Sequence, residues 1–253
     1  MLIAGSYADR MLSAADLQPD DVVLEIGPGL GILTGRLAAR CGRVIAVELD
    51  EAMVSYLTAE GPGAQYANVD IVHGDILTCE VPPFTKCVSN LPYHISSPVT
   101  FWLLEQSFDR AVLMYQTEFA QRMTASPGGK NYSRLTVNTY YRAVVNELFT
   151  IPSGAFFPRP KVTSTVVSMI RRPEPPFALR NEQLFDQVVA VLFQGRRKKI
   201  ANSLLPLWPQ FAQDKQVFLD SIRAYDFADH RVEELAPEQI GRIADILEDM
   251  RIC

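Results

Sequence analysis

Short apolar runs alternate with segments of helical periodicity along the first half of the chain. The apolar runs predict buried strands, and apolar positions that recur every three or four residues predict helices between them. The predicted strands are residues 21–26, 43–48, 68–73, 86–89 and 110–115, and the predicted helices are residues 30–41 and 51–59. Because strands that alternate with helices pair in parallel through helical crossovers, this half predicts an α/β sheet covered on both faces.

The pattern changes in the second half. Residues 144–149 and 162–170 are rich in β-forming residues, and we expect them to extend the sheet with an antiparallel edge. The proline-rich break at residues 172–176 predicts the domain boundary, with one domain at residues 1–172 and another at residues 173–253. The second domain is expected to be small and all-helical, with helices at residues 184–193, 198–205, 215–222 and 237–250.

Composition narrows the class of protein. The chain has 253 residues, 48% hydrophobic and 21% charged, which is typical of a globular protein. It has no apolar stretch long enough to span a membrane and no basic, apolar leader at its start, so we expect a cytoplasmic protein without a membrane partner. Its cysteines, Cys41, Cys79, Cys87 and Cys253, lack zinc-binding spacing, so no metal is expected. A monomer is the default expectation.

Charge is distributed unevenly along the chain. The net charge of −5 conceals a basic middle segment, because residues 110–172 carry nine Lys and Arg against two Asp and Glu. Residues 1–109 carry five Lys and Arg and 14 Asp and Glu, and residues 173–253 carry ten Lys and Arg and 13 Asp and Glu. Such asymmetry favours a polyanionic partner on one face of the molecule, although a basic patch that serves only solubility remains an alternative.

A glycine-rich loop, residues 27–31 (GPGLG), lies between the first predicted strand and the first predicted helix. Gly27 and Gly29 would let a ligand approach the main chain, but the spacing differs from the dinucleotide pattern G-x-G-x-x-G. Glu25 would repel a pyrophosphate, and Glu48, at the end of the second strand, can accept hydrogen bonds from both hydroxyls of a ribose. The pattern favours S-adenosylmethionine over a nicotinamide dinucleotide, and the absent Gly-Lys-[Ser/Thr] argues against a nucleoside triphosphate.

Further polar groups follow the third and fourth strands. Asp75 can accept a hydrogen bond from an adenine amino group, or it can simply cap a turn. The Asn90 side-chain oxygen and the Leu91 carbonyl can accept both hydrogens of a target adenine amino group and so aim its lone pair at a methyl group. Pro92 would stiffen this turn, and Tyr93 can stack on an extruded base.

These motifs resemble those of the small-subunit ribosomal RNA adenine N6,N6-dimethyltransferase family. Residues 90–98 (NLPYHISSP) resemble the family's motif IV, and residues 23–31 resemble its motif I. Three later segments are also similar to the family, namely residues 131–137, 155–162 and 193–204. The resemblance covers nearly the whole chain, and it is closer to the archaeal and eukaryotic branch than to the bacterial one.

The resemblance implies a Rossmann-like S-adenosylmethionine-dependent methyltransferase with a helical C-terminal domain. Its expected substrate is a pair of adjacent adenosines in a hairpin near the 3′ end of small-subunit ribosomal RNA, within an assembling subunit. Phe156 would cover the other face of the target base. The resemblance and the loop residues together give an expected donor-binding set of Leu2, Glu25, Gly27, Gly29, Glu48, Asp75 and Asn90. The RNA-binding set is Arg134, Arg159, Lys161, Arg196, Arg197, Lys198 and Lys199.

The chain departs from the family pattern at its start. Family members usually carry a Gly-Gln-[Asn/His]-Phe-Leu segment, whereas this sequence begins at Met1-Leu2. We therefore expect either a gene model that starts late or a more open donor site. Three alternative functions stay open: methylation of large-subunit RNA that confers antibiotic resistance, a non-catalytic RNA or DNA clamp, and a nicotinamide oxidoreductase.

Overall fold

A computed structural model describes residues 5–251, and it divides the chain into two compact units. The first comprises Met1–Ala120 and Ala143–Arg172 and is called here the sheet unit; the second comprises Gln121–Arg142 and Pro173–Cys253 and is called the helical unit. The expected boundary after residue 172 coincides with one of the divisions. Residues 121–142 belong to the helical unit instead of the first domain, because Tyr132, Val137 and Tyr141 are buried in its apolar core.

The sheet unit contains a seven-stranded sheet. Its strands are β1 (Val22–Ile26), β2 (Arg43–Glu48), β3 (Val69–His73), β4 (Lys86–Asn90), β5 (Arg110–Gln116), β6 (Ala143–Ile151) and β7 (Ser164–Arg171). The strand order is β3-β2-β1-β4-β5-β7-β6. The first five strands pair in parallel, and β7 pairs antiparallel with both β5 and β6. The predicted strands are present, and the two later ones extend the sheet as expected.

Helices flank the parallel strands along the chain. They are α1 (Gly5–Ala15), α2 (Ile32–Ala38), α3 (Glu51–Ala59), α4 (Pro62–Gln65), α5 (Ser96–Glu105) and α6 (Thr117–Met123). Helix α2 begins later than predicted because Gly31 precedes it in the left-handed region, at φ 76°, and it ends at Ala38. Helix α3 begins where the Asp50 side chain accepts hydrogen bonds from the Ala52 and Met53 amides. Helices α1, α4, α5 and α6 were not predicted from the sequence.

The helical unit packs its helices around an apolar core of its own. They are α7 (Arg134–Arg142), α8 (Glu182–Leu192), α9 (Ile200–Ser203), α10 (Lys215–Arg223) and α11 (Pro237–Asp249). Three of the four predicted helices match α8, α10 and α11. The remaining predicted helix, residues 198–205, is shorter in the structure and corresponds to α9, because a 3₁₀ segment that contains Pro206 and Pro209 follows it. None of the helices in residues 5–251 is long and apolar enough to cross a membrane.

Candidate active site

A cavity of about 340 Å³ lies in the sheet unit beside the loops that follow β1 and β4. These two strands are parallel neighbours, so their carboxyl ends meet at one edge of the sheet, where open α/β sheets bind ligands. The lining residues are Glu25, Gly27, Pro28, Gly29, Ile32, Leu33, Asn90, Leu91, Pro92, Tyr93, Phe156, Pro158 and Pro160. The structure therefore brings the two main predicted motifs and Phe156 to one site.

Two glycines shape the loop after β1. Gly27 and Gly29 have φ values of 69° and 57°, in the left-handed region that favours glycine. A Cβ on Gly27 would lie 3.3 Å from the Cδ of Pro92, so this glycine also permits close contact with the loop after β4. A Cβ on Gly29 would meet nothing within 4 Å, which leaves its main chain open to a ligand.

The Glu48 carboxylate fixes the same loop from the end of β2. Its Oε2 accepts a hydrogen bond from the Gly29 amide at 3.1 Å, and its Oε1 accepts from the Leu49 and Asp50 amides at 2.9 and 3.0 Å. Asp75 is exposed, and its Oδ1 accepts a hydrogen bond from the Leu77 amide at 3.0 Å, so it does cap a turn. Neither acid lines the cavity, and their contacts with a donor remain predictions.

Glu25 lies on the cavity wall without full hydrogen bonding. Its side chain is buried, and its Oε2 has no hydrogen-bond partner in the described part of the chain. Burial raises the pKa of the Glu25 carboxyl to about 8. The buried Thr34 hydroxyl acts on this carboxyl to lower its pKa, but it too lacks a partner within hydrogen-bond geometry in the described residues. A buried, unpaired carboxyl at a cavity suits a ligand that carries a positive charge or hydrogen-bond donors.

The loop after β4 contributes Asn90, Leu91, Pro92 and Tyr93 to the cavity lining. Asn90 is the last residue of β4, and within residues 5–251 its side chain has no hydrogen-bond partner. The Leu91 side chain is 1% exposed, so it anchors this turn in the core. Pro92 has φ −58°, which its ring fixes. The turn is thus held by Leu91 and Pro92, and the Asn90 amide is available for a ligand.

Two aromatic side chains contribute to the cavity wall. The Tyr93 hydroxyl lies 2.6 Å from Oγ of Ser164, a buried residue at the start of β7, and this contact restricts where the Tyr93 ring can lie. Phe156 is buried in the apolar core and lines the cavity as well. Ser164 was not among the predicted site residues, because nothing in the sequence shows that β7 begins opposite the loop after β4.

The predicted RNA-binding residues differ in how they are held. In the sheet unit Lys161 is exposed, and Arg159 is exposed with its Nε donating to Oγ of Ser153 at 2.9 Å. In the helical unit Arg134, Arg197 and Lys198 are exposed. Their positions are compatible with phosphate contacts, which remain predictions.

Arg196 and Lys199 are engaged within the helical unit. The Arg196 guanidinium donates to the carbonyls of Lys130 and Tyr132 and forms an ion pair with Glu233 at 3.5 Å. The Lys199 ammonium donates to Oδ1 of Asp229 at 2.6 Å, and this hydrogen bond lowers the pKa of the Asp229 carboxyl. The Arg196 side chain therefore holds the turn that carries Arg197 and Lys198, whereas the Lys199 ion pair is exposed to solvent and contributes little to stability.

The remaining expectations concern Leu2 and a metal ion. Leu2, an expected donor contact, lies outside the described residues. Within residues 5–251, no group of three or more His, Cys, Asp or Glu side chains is placed to hold a metal ion.

Solved structures place this fold among the methyltransferases. A dimethyladenosine transferase from Plasmodium falciparum superimposes with a TM-score of 0.82 and 29% identity, over 98% of this chain and 96% of that one. The 23S rRNA methyltransferase ErmE gives a TM-score of 0.69 and 30% identity, over 98% of this chain and 99% of that one. The fold therefore defines the class of this protein, which is a Rossmann-like, S-adenosylmethionine-dependent methyltransferase with a helical C-terminal region, as predicted.

The family follows from the sequence comparison. The family model described as "Ribosomal RNA adenine dimethylase" matches residues 2–249, and the chain belongs to this family. A protein of Methanosarcina mazei named "Probable ribosomal RNA small subunit methyltransferase A" is 46% identical over 250 residues, which cover 99% of this chain and 91% of that protein. A Thermococcus gammatolerans protein of the same name is 44% identical over 98% of this chain and 87% of its own length. The expected family is confirmed, and the archaeal relatives agree with the expected archaeal and eukaryotic branch.

Proposed function

We propose that this protein transfers methyl groups from S-adenosylmethionine to the N6 atoms of two adjacent adenosines in small-subunit ribosomal RNA. The observation that carries the proposal is the cavity, because it joins the glycine loop, the unpaired Asn90 amide and the Tyr93 and Phe156 rings at one strand edge. The relatives from Methanosarcina mazei and Plasmodium falciparum, named as an rRNA methyltransferase and a dimethyladenosine transferase, support the reaction class. The expected target is a hairpin near the 3′ end of that RNA.

The residues around the cavity fit the proposed donor. The unpaired Glu25 carboxyl suits the positive charge that S-adenosylmethionine carries, and the donor would favour the ionised form of this acid. Glu48 would accept hydrogen bonds from the ribose hydroxyls, Asp75 from the adenine amino group, and the Gly27 and Gly29 main chain would pass along the ligand. When bound, the donor would supply a methyl group on a positively charged sulfonium, and the neutral thioether that remains after transfer is the good leaving group.

The loop after β4 would hold the acceptor. Oδ1 of Asn90 and the Leu91 carbonyl would accept the two hydrogens of the adenine amino group and thereby aim the nitrogen lone pair at the methyl group. Tyr93 and Phe156 would stack on the extruded base, and Pro92 limits the movement of the turn. The contribution of the chain to the reaction is thus alignment of two reactants in a confined cavity.

Phosphate contacts would fix the RNA outside the cavity. We assign this role to the exposed cations of both units, namely Arg134, Arg159, Lys161, Arg197 and Lys198. Arg196 and Lys199, which were expected to share it, also make contacts within the helical unit, and their phosphate contacts remain a prediction. An assembling small subunit in the cytoplasm is the proposed setting, with the protein acting as a monomer.

Label transfer tests the proposal. The protein would be incubated with tritiated S-adenosylmethionine and with under-methylated small or large ribosomal subunits, and the RNA would then be digested to nucleosides. We expect label in N6,N6-dimethyladenosine from small subunits. Label in large-subunit RNA would instead favour an activity like that named for ErmE, the second candidate, because that protein shares 30% identity and the fold. If no label were transferred while the protein still bound subunits, the result would contradict the proposed methyltransferase activity and favour a non-catalytic RNA clamp.

A further inference from the structure

The segment that carries Phe156 presents a second set of side chains outside the cavity. Phe156, Pro158 and Pro160 line the cavity, whereas the intervening residues Phe157 and Arg159 are exposed and are absent from its lining. Phe157 is 70% exposed, the largest exposed fraction among the large apolar side chains of residues 5–251. Alternate residues therefore serve the cavity wall and the surface beside it.

The surroundings of Phe157 are basic. Arg159 and Lys161 are exposed beside it in the sequence, and residues 152–163 contain no Asp or Glu. The Arg159 guanidinium is oriented by the hydrogen bond from its Nε to Oγ of Ser153, and its remaining N–H groups have no acceptor in the described residues. An exposed aromatic ring with adjacent cations is the combination that binds unpaired nucleotides, through stacking and phosphate contact.

We propose that Phe157 is a stacking platform for the base next to the adenosine that enters the cavity. This inference rests on the proposed function and deepens it. Extruding one base removes a stacking partner from its neighbour, and an aromatic ring just outside the cavity replaces that partner. Because Phe156 and Phe157 are consecutive residues, the base inside the cavity and the base outside it are held by adjoining rings.

Kinetics of four proteins test the role of the ring. Methylation of under-methylated small subunits would be measured for wild type, Phe157→Ala, Phe157→Trp and Leu148→Ala, the last an exposed apolar residue of β6 used as a matched control. We expect Phe157→Ala to raise KM for the subunit about 5- to 150-fold with little change in kcat, and Phe157→Trp to restore KM. Leu148→Ala should behave as wild type, and Tm should stay unchanged in all of them. A wild-type KM in Phe157→Ala overturns the inference.

A second measurement identifies what the ring contacts. Binding of a synthetic hairpin RNA would be measured with the base removed from the nucleotide on either side of the target adenosine. If Phe157 stacks on one of these bases, its removal weakens binding to wild type and has no further effect on Phe157→Ala. Additive losses at both positions would show that Phe157 stacks on neither base and would overturn the inference. Failure of the wild type to methylate adenosine would contradict the proposed function itself, so the two failures are distinguishable.

Discussion

The cavity wall and the turn at residues 196–199 both carry charged or polar groups that the sequence marks as functional, but their hydrogen bonding differs. On the cavity wall, Oε2 of Glu25 and the Asn90 side chain have no partner in the described part of the chain. In the turn, Arg196 and Lys199 are each bonded to carbonyl or carboxylate groups of their own unit. One region leaves polar groups for a ligand, and the other uses them to hold its own shape.

This difference shows how a polar residue can be assigned. A buried polar group without a partner costs about 1–3 kcal/mol, so its presence at a cavity is best explained by a ligand that supplies the partner. A cation that is already paired with an anion or a carbonyl within the fold gains less from a further phosphate contact than an unpaired one. The same reasoning applies to the basic middle segment, where Arg110, Arg142 and Arg171 donate to groups of their own unit.

The largest expected effect concerns Glu25. Its carboxyl pKa is about 8 in the folded protein and near 4.5 in the unfolded chain, so the unfolded state loses its proton first as pH rises. Stability therefore falls between about pH 4.5 and pH 8, and Glu25→Gln abolishes that fall. We expect the difference in unfolding free energy between the variant and wild type to change by roughly 3–5 kcal/mol in favour of the variant over this range. Urea unfolding at several pH values measures it, and a constant difference would contradict the assignment.

Arg196→Ala should destabilise the helical unit. The substitution removes the ion pair with Glu233 and the bonds to the Lys130 and Tyr132 carbonyls, at a cost of about 1–3 kcal/mol. Thermal unfolding should show a lower Tm, and hydrogen exchange should accelerate around residues 130–132. Arg197→Ala, in the same turn, is the matched control and should leave both unchanged. If Arg196→Ala and Arg197→Ala were equally stable, the result would contradict the conclusion that Arg196 supports the turn and Arg197 does not.

The fold was largely predictable from the sequence. Strands β1, β2 and β5 contain short apolar runs, and local pattern is enough to locate such elements. Helix α7 was missed because its buried positions include Thr136, Asn138 and Thr139, which do not form an apolar stripe. Its place in the helical unit depends on contacts far along the chain, which periodicity does not reveal.

Ser164→Ala tests a residue whose role depends on contacts distant in the sequence. Without the Ser164 hydroxyl the Tyr93 ring loses the contact that positions it, and we expect kcat to fall about 2- to 10-fold with donor affinity unchanged. The effect should disappear in a Tyr93→Phe background, since both changes break one hydrogen bond. Ser168→Ala, another buried serine of β7, is the control and should retain kcat. Additive losses from Ser164→Ala and Tyr93→Phe would exclude the positioning role.

The smallest expected effects belong to the exposed cations of the turn. Arg197→Ala and Lys198→Ala should each weaken binding to small subunits several-fold, without a change in Tm. Each should also reduce the slope of log affinity against log salt concentration by about one, because one phosphate contact is lost. Titrations at several salt concentrations measure both quantities. An unchanged salt slope in the two variants would show that the turn does not meet phosphate.

The site residues that could be predicted from the sequence are those whose positions are determined by where the strands end. Gly27, Glu48 and Asn90 lie at or just beyond strand ends, so the pattern of strands and turns in the sequence is enough to place their motifs at one edge of the sheet. The roles of charged side chains were harder to predict, because Arg196 and Arg197 are the same residue type and differ only in the partners that the fold provides.

The most direct test of the account is the effect of Asn90→Ala on two quantities measured side by side. One is the affinity for S-adenosylmethionine by calorimetry, and the other is the rate of N6,N6-dimethyladenosine formation in under-methylated small subunits. If the main role of the unpaired Asn90 amide is to hold the acceptor, methyl transfer falls about 100- to 1,000-fold while donor affinity falls far less. Methyl transfer at the wild-type rate would contradict the account.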